Sequence, residues 1–261
     1  MPPAPTQRVQ AGQPQPLPPA GTARSCETNA QRHAGTVAVV VLADLQAAAS
    51  LWGWSRLVLG GAPLRHAPGL RFAKVLGSGA GGGFSPRPSS THQGLFLGFE
   101  DQATALHFAD RSAVLAGYRG RARELLVAVL RPCASRGAWS GAAMTASAAV
   151  PAAGAPVAAL TRASIRLRHA AAFWRMQPAA EAALAAAPGC LLAAGLGEAP
   201  LLRQATFSLW SSSADMDSYA HSGAHQAAIR AAYGGGYFAE SMFVRFVPLR
   251  LQGRWQGRDH G

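Results

Sequence analysis

Few residues of this chain have the type and spacing to do chemistry, and His225 is the most informative of them. It stands in "GAHQAAIRAAY", with Ala228, Ile229 and Ala232 at i+3, i+4 and i+7. On a helix those positions share the face of the imidazole, which leaves room there for a flat apolar group. Period alone favours the plainer alternative, a histidine that caps or packs a helix end. His221 precedes it by four residues, a metal-ligand spacing, but Ser222 and Gly223 interrupt the helix and neither a third ligand nor an H-E-x-x-H pattern is visible. Arg162, Arg166 and Arg245 fall on otherwise apolar strands. A guanidinium there is either on a solvated outer face or an anion clamp in the sheet cavity. Asp215 and Asp217 sit at a helix start, where the helix dipole accounts for them. No nucleophile elbow, triad or convincing pair of carboxylates is present.

Three further features have plainer explanations. "GSGAGGGF", Gly77 to Phe84, has the glycines of a phosphate cradle but runs into Ser-Pro-Arg-Pro and a strand. Dinucleotide and Walker-type loops open a helix instead, so a flexible hairpin loop, able to serve as a lid, is expected. Cys26, Cys133 and Cys190 are odd in number and share no metal-like spacing. That pattern implies neither a zinc site nor a disulfide framework and fits a reducing cytoplasm. The formal charge of +12, from 24 Lys+Arg against 12 Asp+Glu, is spread over single arginines with Lys74 the sole lysine. It reads as a solvated basic surface, open to attraction by anionic lipid, and not as a nucleic-acid groove.

These residues need a framework to position them, and hydrophobic period supplies one. From Pro156 onward the chain reads as a strand (Val157 to Leu167), a helix (Ala170 to Ala187), strands Cys190 to Gly195 and Leu202 to Trp210, a helical region (Ala214 to Tyr233) and a strand (Met242 to Leu249). The first half repeats the order. Strands are predicted at Thr36 to Leu45, Leu70 to Leu76, Gln93 to Phe99 and Leu125 to Leu130, with a helix after the first and another at Asp101 to Leu115.

Each half is a β-α-β-β-α-β, ferredoxin-like unit. An offset of 111 residues pairs Phe99 with Trp210 and Phe108-Ala109 with Tyr219-Ala220, as an internal duplication would, and sets Val114 against His225. Two such units can bury their open sheet faces against each other. The expected fold is α+β, a pseudo-symmetric barrel of the dimeric α/β type. The expected division is a disordered Pro/Gln/Ala-rich extension over 1–35, a first unit over 36–134, a linker over 135–155, a second unit over 156–250 and a tail over 251–261. No apolar window is long enough to span a bilayer, so any membrane contact would be peripheral.

The sequence also resembles the spheroidene monooxygenase family of acyclic carotenoid 2-ketolases. The resemblance is carried by "FAKVLGSGAGGGFSPRP" (Phe72 to Pro88), "GAWSG" (Gly137 to Gly141), "ALTRASIR" (Ala159 to Arg166), "FW" (Phe173, Trp174), "GLGEAPLLRQATFSLW" (Gly195 to Trp210), "HQAAIRA" (His225 to Ala231), "YFAESMFVRF" (Tyr237 to Phe246) and "GRWQG" (Gly253 to Gly257). It implies an oxygenase that converts C-2 of an acyclic carotenoid to a ketone, with haem as cofactor, dioxygen as co-substrate and a ferredoxin-type electron donor. A haem needs an axial ligand, an apolar slot and cations for its propionates. On that reading His225 is the ligand and Arg162, Arg166 and Arg245 are the propionate partners. A non-catalytic haem or apolar-ligand binding protein on the same fold is the alternative, and a cofactor-free oxygenase a third reading; turnover and colour separate them.

Overall fold

The computed structural model describes residues 32–199, 202–221 and 223–261, so the expected extension lies outside the described residues as far as residue 31. In chain order the elements are β1 (Arg32–His33), β2 (Val37–Leu45), α1 (Ser50–Leu59), β3 (Leu70–Gly79), β4 (Pro88–Phe99), α2 (Gln102–Arg111), α3 (Ala113–Arg119), β5 (Ala122–Gly137), β6 (Ala142–Ala143), β7 (Val157–Ile165), α4 (Ala170–Ala185), β8 (Cys190–Ala199), β9 (Arg203–Trp210), α5 (Ser213–Ala220), α6 (Gly223–Gly234), β10 (Phe238–Trp255) and β11 (Arg258–Asp259).

The strands run in the order β5-β2-β4-β3 in the first half and β10-β7-β9-β8 in the second, two copies of one antiparallel arrangement. β10 joins the halves on one side through a long ladder with β5, from Met242↔Gly137 to Gly253↔Leu126. On the other side β3 and β8 meet through a single residue pair, Gly77↔Gly197. The result is the eight-stranded α+β barrel expected from the duplicated pattern.

Alternation along the strands builds two kinds of core. Ala38, Val40 and Leu42 of β2 point into the barrel with Phe96, Leu160, Phe207, Val244 and Phe246. Val37, Val39 and Val41 point outward under the helices with Phe108, Leu115 and Tyr118. Burial on both faces explains why β2 reads as an unbroken apolar run.

The differences from expectation have local causes. The helix expected over Asp101 to Leu115 is two helices, because Ser112 leaves the helical region at φ −64°, ψ 126° and its hydroxyl accepts the Val114 and Leu115 N–H groups. The linker and the tail are partly strand: β5 continues to Gly137 and β10 to Trp255. Arg32 and His33, assigned to the extension, pair with Ala142 and Ala143. The Gly77 to Phe84 loop is not free. Phe84 is buried beneath α4, its N–H donates to Glu181 Oε1 at 3.2 Å, and a Cβ on Gly195 would lie 2.3 Å from the Gly83 carbonyl oxygen.

Candidate active site: a charged cluster beneath an open seam

Arg162 lies on β7 in phase with Ala158 and Leu160, so its guanidinium enters the barrel, and the side chain is only 4% exposed. A buried cation needs partners, and several elements supply them. Arg162 Nη2 donates to Glu198 Oε2 at 3.3 Å and Nη1 donates to Glu240 Oε2. Lys74 Nζ, from β3, donates to Glu198 Oε1 at 2.6 Å and to Ser140 Oγ at 2.9 Å. Trp139 Nε1 donates to Glu198 Oε2 at 2.9 Å. The Trp139 ring, stacked on Phe96 with centroids 5.4 Å apart, lies under both cations, 5.7 Å from Lys74 Nζ and 5.5 Å from Arg162 Cζ.

Glu240 is held from the loop after β5. Ser140 and Gly141 both have positive φ, 54° and 71°, and this turn aims two successive N–H groups at its carboxylate, at 3.0 and 2.9 Å. Two cations and two carboxylates leave the group neutral. Burial alone would raise both carboxyl pKa values. For Glu198, the Lys74 and Trp139 bonds and the Lys74 and Arg162 charges outweigh burial and hold the group below its ordinary value. For Glu240, the Gly141 and Ser140 N–H groups and Arg162 do the same.

A depressed folded pKa contributes stability that is present above the unfolded value and is lost as pH falls through the folded one. Unfolding free energy should therefore decline as pH drops below about 4, the unfolded glutamate range. Denaturant titrations at stepped pH check this, and Glu198→Gln should flatten that slope.

The cluster borders a cavity of about 220 Å³ at the seam between β3 and β8. Because only Gly77 and Gly197 pair there, the wall is thin, and Gly77, Gly79 and Gly197 line it without side chains. Trp54 and Leu57 of α1 and Trp174 of α4 form the outer walls; Leu196, Glu198 and Gln204 form the inner end. Ser78, Ser85 and Ser89 line it too, so the seam makes a slot walled by tryptophan and leucine, with hydroxyls among them, that ends on an ionised carboxylate.

The residues singled out for function do not all meet here. Arg162 does. Arg245, in register with the outward-facing Ala159, points the other way and pairs with Asp217 of α5. Arg166 is exposed, its Nε donating to the Phe238 carbonyl at 3.2 Å. The three arginines therefore form no common clamp, and carboxylates already neutralise two of them. His225 lies on α6; its side chain lies outside the described residues. The first turn of α6 borders a separate cavity of about 230 Å³, lined by Ala183, Ala186, Ala187 and Gly223. Trp174 of α4 and Ala186, the residue that caps it, are twelve positions apart, about 18 Å along a helix. The carboxylate pair went unnoticed in sequence because its members lie 42 residues apart and show no period. One signal could have found them. Lys74, Trp139, Arg162, Glu198 and Glu240 each come from a different run that carries the family resemblance.

Burial pushes the Cys133 and Cys190 thiols up, so they rest as protonated, half-buried side chains. Among the described residues no group of three His, Cys, Asp or Glu could hold a metal ion. The barrel interior is filled by side chains; the side chains of His225, Ala228 and Ile229, on which the haem expectation turns, lie outside the described residues.

No protein-family model matches the chain. Among curated proteins, a spheroidene monooxygenase of Rubrivivax gelatinosus is 51% identical over 93% of this chain and 94% of its own. One from Rhodobacter capsulatus is 36% identical over 80% of this chain and 88% of its own. Among solved structures, an anthrone oxidase-like protein is 11% identical with a TM-score of 0.31, covering 90% of this chain and 99% of its own. That likeness is too distant to bear on the chemistry.

Proposed function

The chain belongs to the spheroidene monooxygenase family, and from that premise we propose that it oxidises C-2 of an acyclic carotenoid. Two successive hydroxylations of one carbon give a geminal diol, which loses water to leave a 2-ketone. Each round takes one dioxygen, two electrons and two protons, places one oxygen atom on carbon and releases the other as water. The electrons come singly from a ferredoxin-type donor.

The observation that carries this reading is the position of Glu198, shared by the charged cluster and the inner end of the seam slot. Trp54, Leu57 and Trp174 take the hydrocarbon and keep water from it, while the slot's open mouth lets the rest of the polyene extend outward. At the inner end the hydroxyl formed in the first round donates to the Glu198 carboxylate, which Lys74, Trp139 and Arg162 keep ionised. That bond retains the alcohol for its second oxidation. The Gln204 amide, at the same end, donates to the ketone oxygen of the product.

Oxidising a C–H bond with dioxygen needs a redox centre. The family resemblance implies haem, which His225 would hold and which would supply that redox chemistry when bound. The assignment rests on His225 alone. Purified protein from haem-replete cells, given an acyclic carotenoid, dioxygen and reduced ferredoxin, should yield the 2-ketone and show a Soret band that weakens or shifts in His225→Ala. No oxygen-dependent product would overturn the activity. A colourless protein that still turns over would remove haem and keep the oxygenase.

A further inference from the structure

Helix α1 turns an apolar face to solvent. Leu51, Trp54 and Val58, at i, i+3 and i+7, are 85%, 43% and 84% exposed, and Leu59 beside them is 47% exposed. Single exposed apolar residues are ordinary, but a stripe along one helix face marks a surface that something covers. The stripe runs into the seam cavity, because Trp54 lines its mouth. On the opposite wall Trp174 belongs to α4, and the turn that opens α4 presents Leu167, 78% exposed.

The charge on α1 and at the start of α4 is basic. Between Asp44 and Glu100 the chain has no acidic residue but carries Arg56, Arg65 and Arg87, besides Arg71, which pairs with Glu100, and Lys74, which belongs to the charged cluster. Between Glu124 and Glu181 there is again no acidic residue, and Arg166, Arg168 and Arg175 surround the start of α4. A second copy docked here through the same surface would set one basic face against another. A bilayer of anionic lipid offers acyl chains to the leucines and the tryptophan, and phosphates to the guanidiniums.

We propose that α1, with Leu167 across the slot, docks this protein on the surface of an anionic bilayer, so that the seam cavity opens onto the acyl region. The docking rests on the helix and its charges; its purpose, uptake of a lipid-dissolved polyene, rests on the carotenoid reading of the cavity.

Vesicle flotation of the full chain tests it, comparing phosphatidylglycerol-rich vesicles with phosphatidylcholine vesicles. The wild type should float with the anionic vesicles, and less so with the zwitterionic ones or in about 1 M salt. The double variant Leu51→Ser/Val58→Ser changes only solvent-facing side chains. It should lower the partition coefficient roughly tenfold or more, oxidise detergent-dispersed carotenoid at the wild-type rate and lose rate only on carotenoid held in vesicles. A wild type that stays with the soluble fraction, or a double variant that floats equally well, overturns the proposal. So does a wild-type dimer that the double variant splits into monomers, because the stripe is then a self-interface. Intact flotation with no oxidation of any carotenoid supports the docking while removing the reading of the cavity.

Discussion

Arg162→Ala should destabilise the fold by about 3–5 kcal/mol, the cost typical of breaking a buried ion pair by removing one partner. The side chain is 4% exposed and serves two carboxylates, Glu198 and Glu240, which are 14% and 29% exposed. Alanine leaves Glu240 with only its two N–H donors and takes one of two cations from Glu198. It also leaves a void over the Trp139 ring, where the guanidinium lay. Denaturant unfolding gives the loss directly, and the thermal midpoint should fall on the order of 10 °C for a domain of this size. Arg162→Lys should recover only part, since an ammonium cannot match the planar fork that bonds two carboxylates at once. A change under about 1 kcal/mol, the level of an exposed salt bridge, would mean that the cluster is solvated and not structural.

Gly77→Val should do the reverse, leaving the fold intact and stopping turnover. A Cβ at Gly77 would meet only Leu57 Cδ1 at 3.8 Å and the Gly197 carbonyl oxygen at 3.9 Å, ordinary contacts that require no backbone shift. The two methyl groups beyond that Cβ enter the slot between α1 and the seam, where the hydrocarbon end is held. Displacing a reacting carbon by about 1 Å can cost 10²-fold in rate, and two methyl groups displace it further. The expected result is a rate lowered at least roughly 100-fold with an unchanged unfolding midpoint; Gly77→Ala should keep most of the activity. A fully active valine variant would show that the polyene lies elsewhere.

The barrel was readable in the sequence because its determinants are local. Two copies of one strand and helix order, the offset pairing Phe99 with Trp210, and the apolar run of β2 each follow from period alone. Boundaries suffered where a single side chain decided them, as Ser112 does in dividing α2 from α3. The site was much less legible. Arg162 and Arg245 look alike in sequence, two charges on apolar strands, and only strand phase sends one into the barrel and the other to Asp217. Trp139 lies in a stretch read as linker, and it enters the barrel because Gly137 and the Ser140-Gly141 turn bring the chain back over its end. The seam could not be foreseen either, since its openness comes from one glycine pair between strands 120 residues apart.

The most direct test is a crystal structure of the protein with an acyclic carotenoid bound. One end of the polyene should lie between Trp54 and Trp174, with C-2 at the inner end beside Glu198 and Gln204 and the remaining chain leaving past α1. A polyene seated instead in the groove beside Gly223 at the start of α6, with the seam slot empty, would contradict this account of where the oxidation takes place.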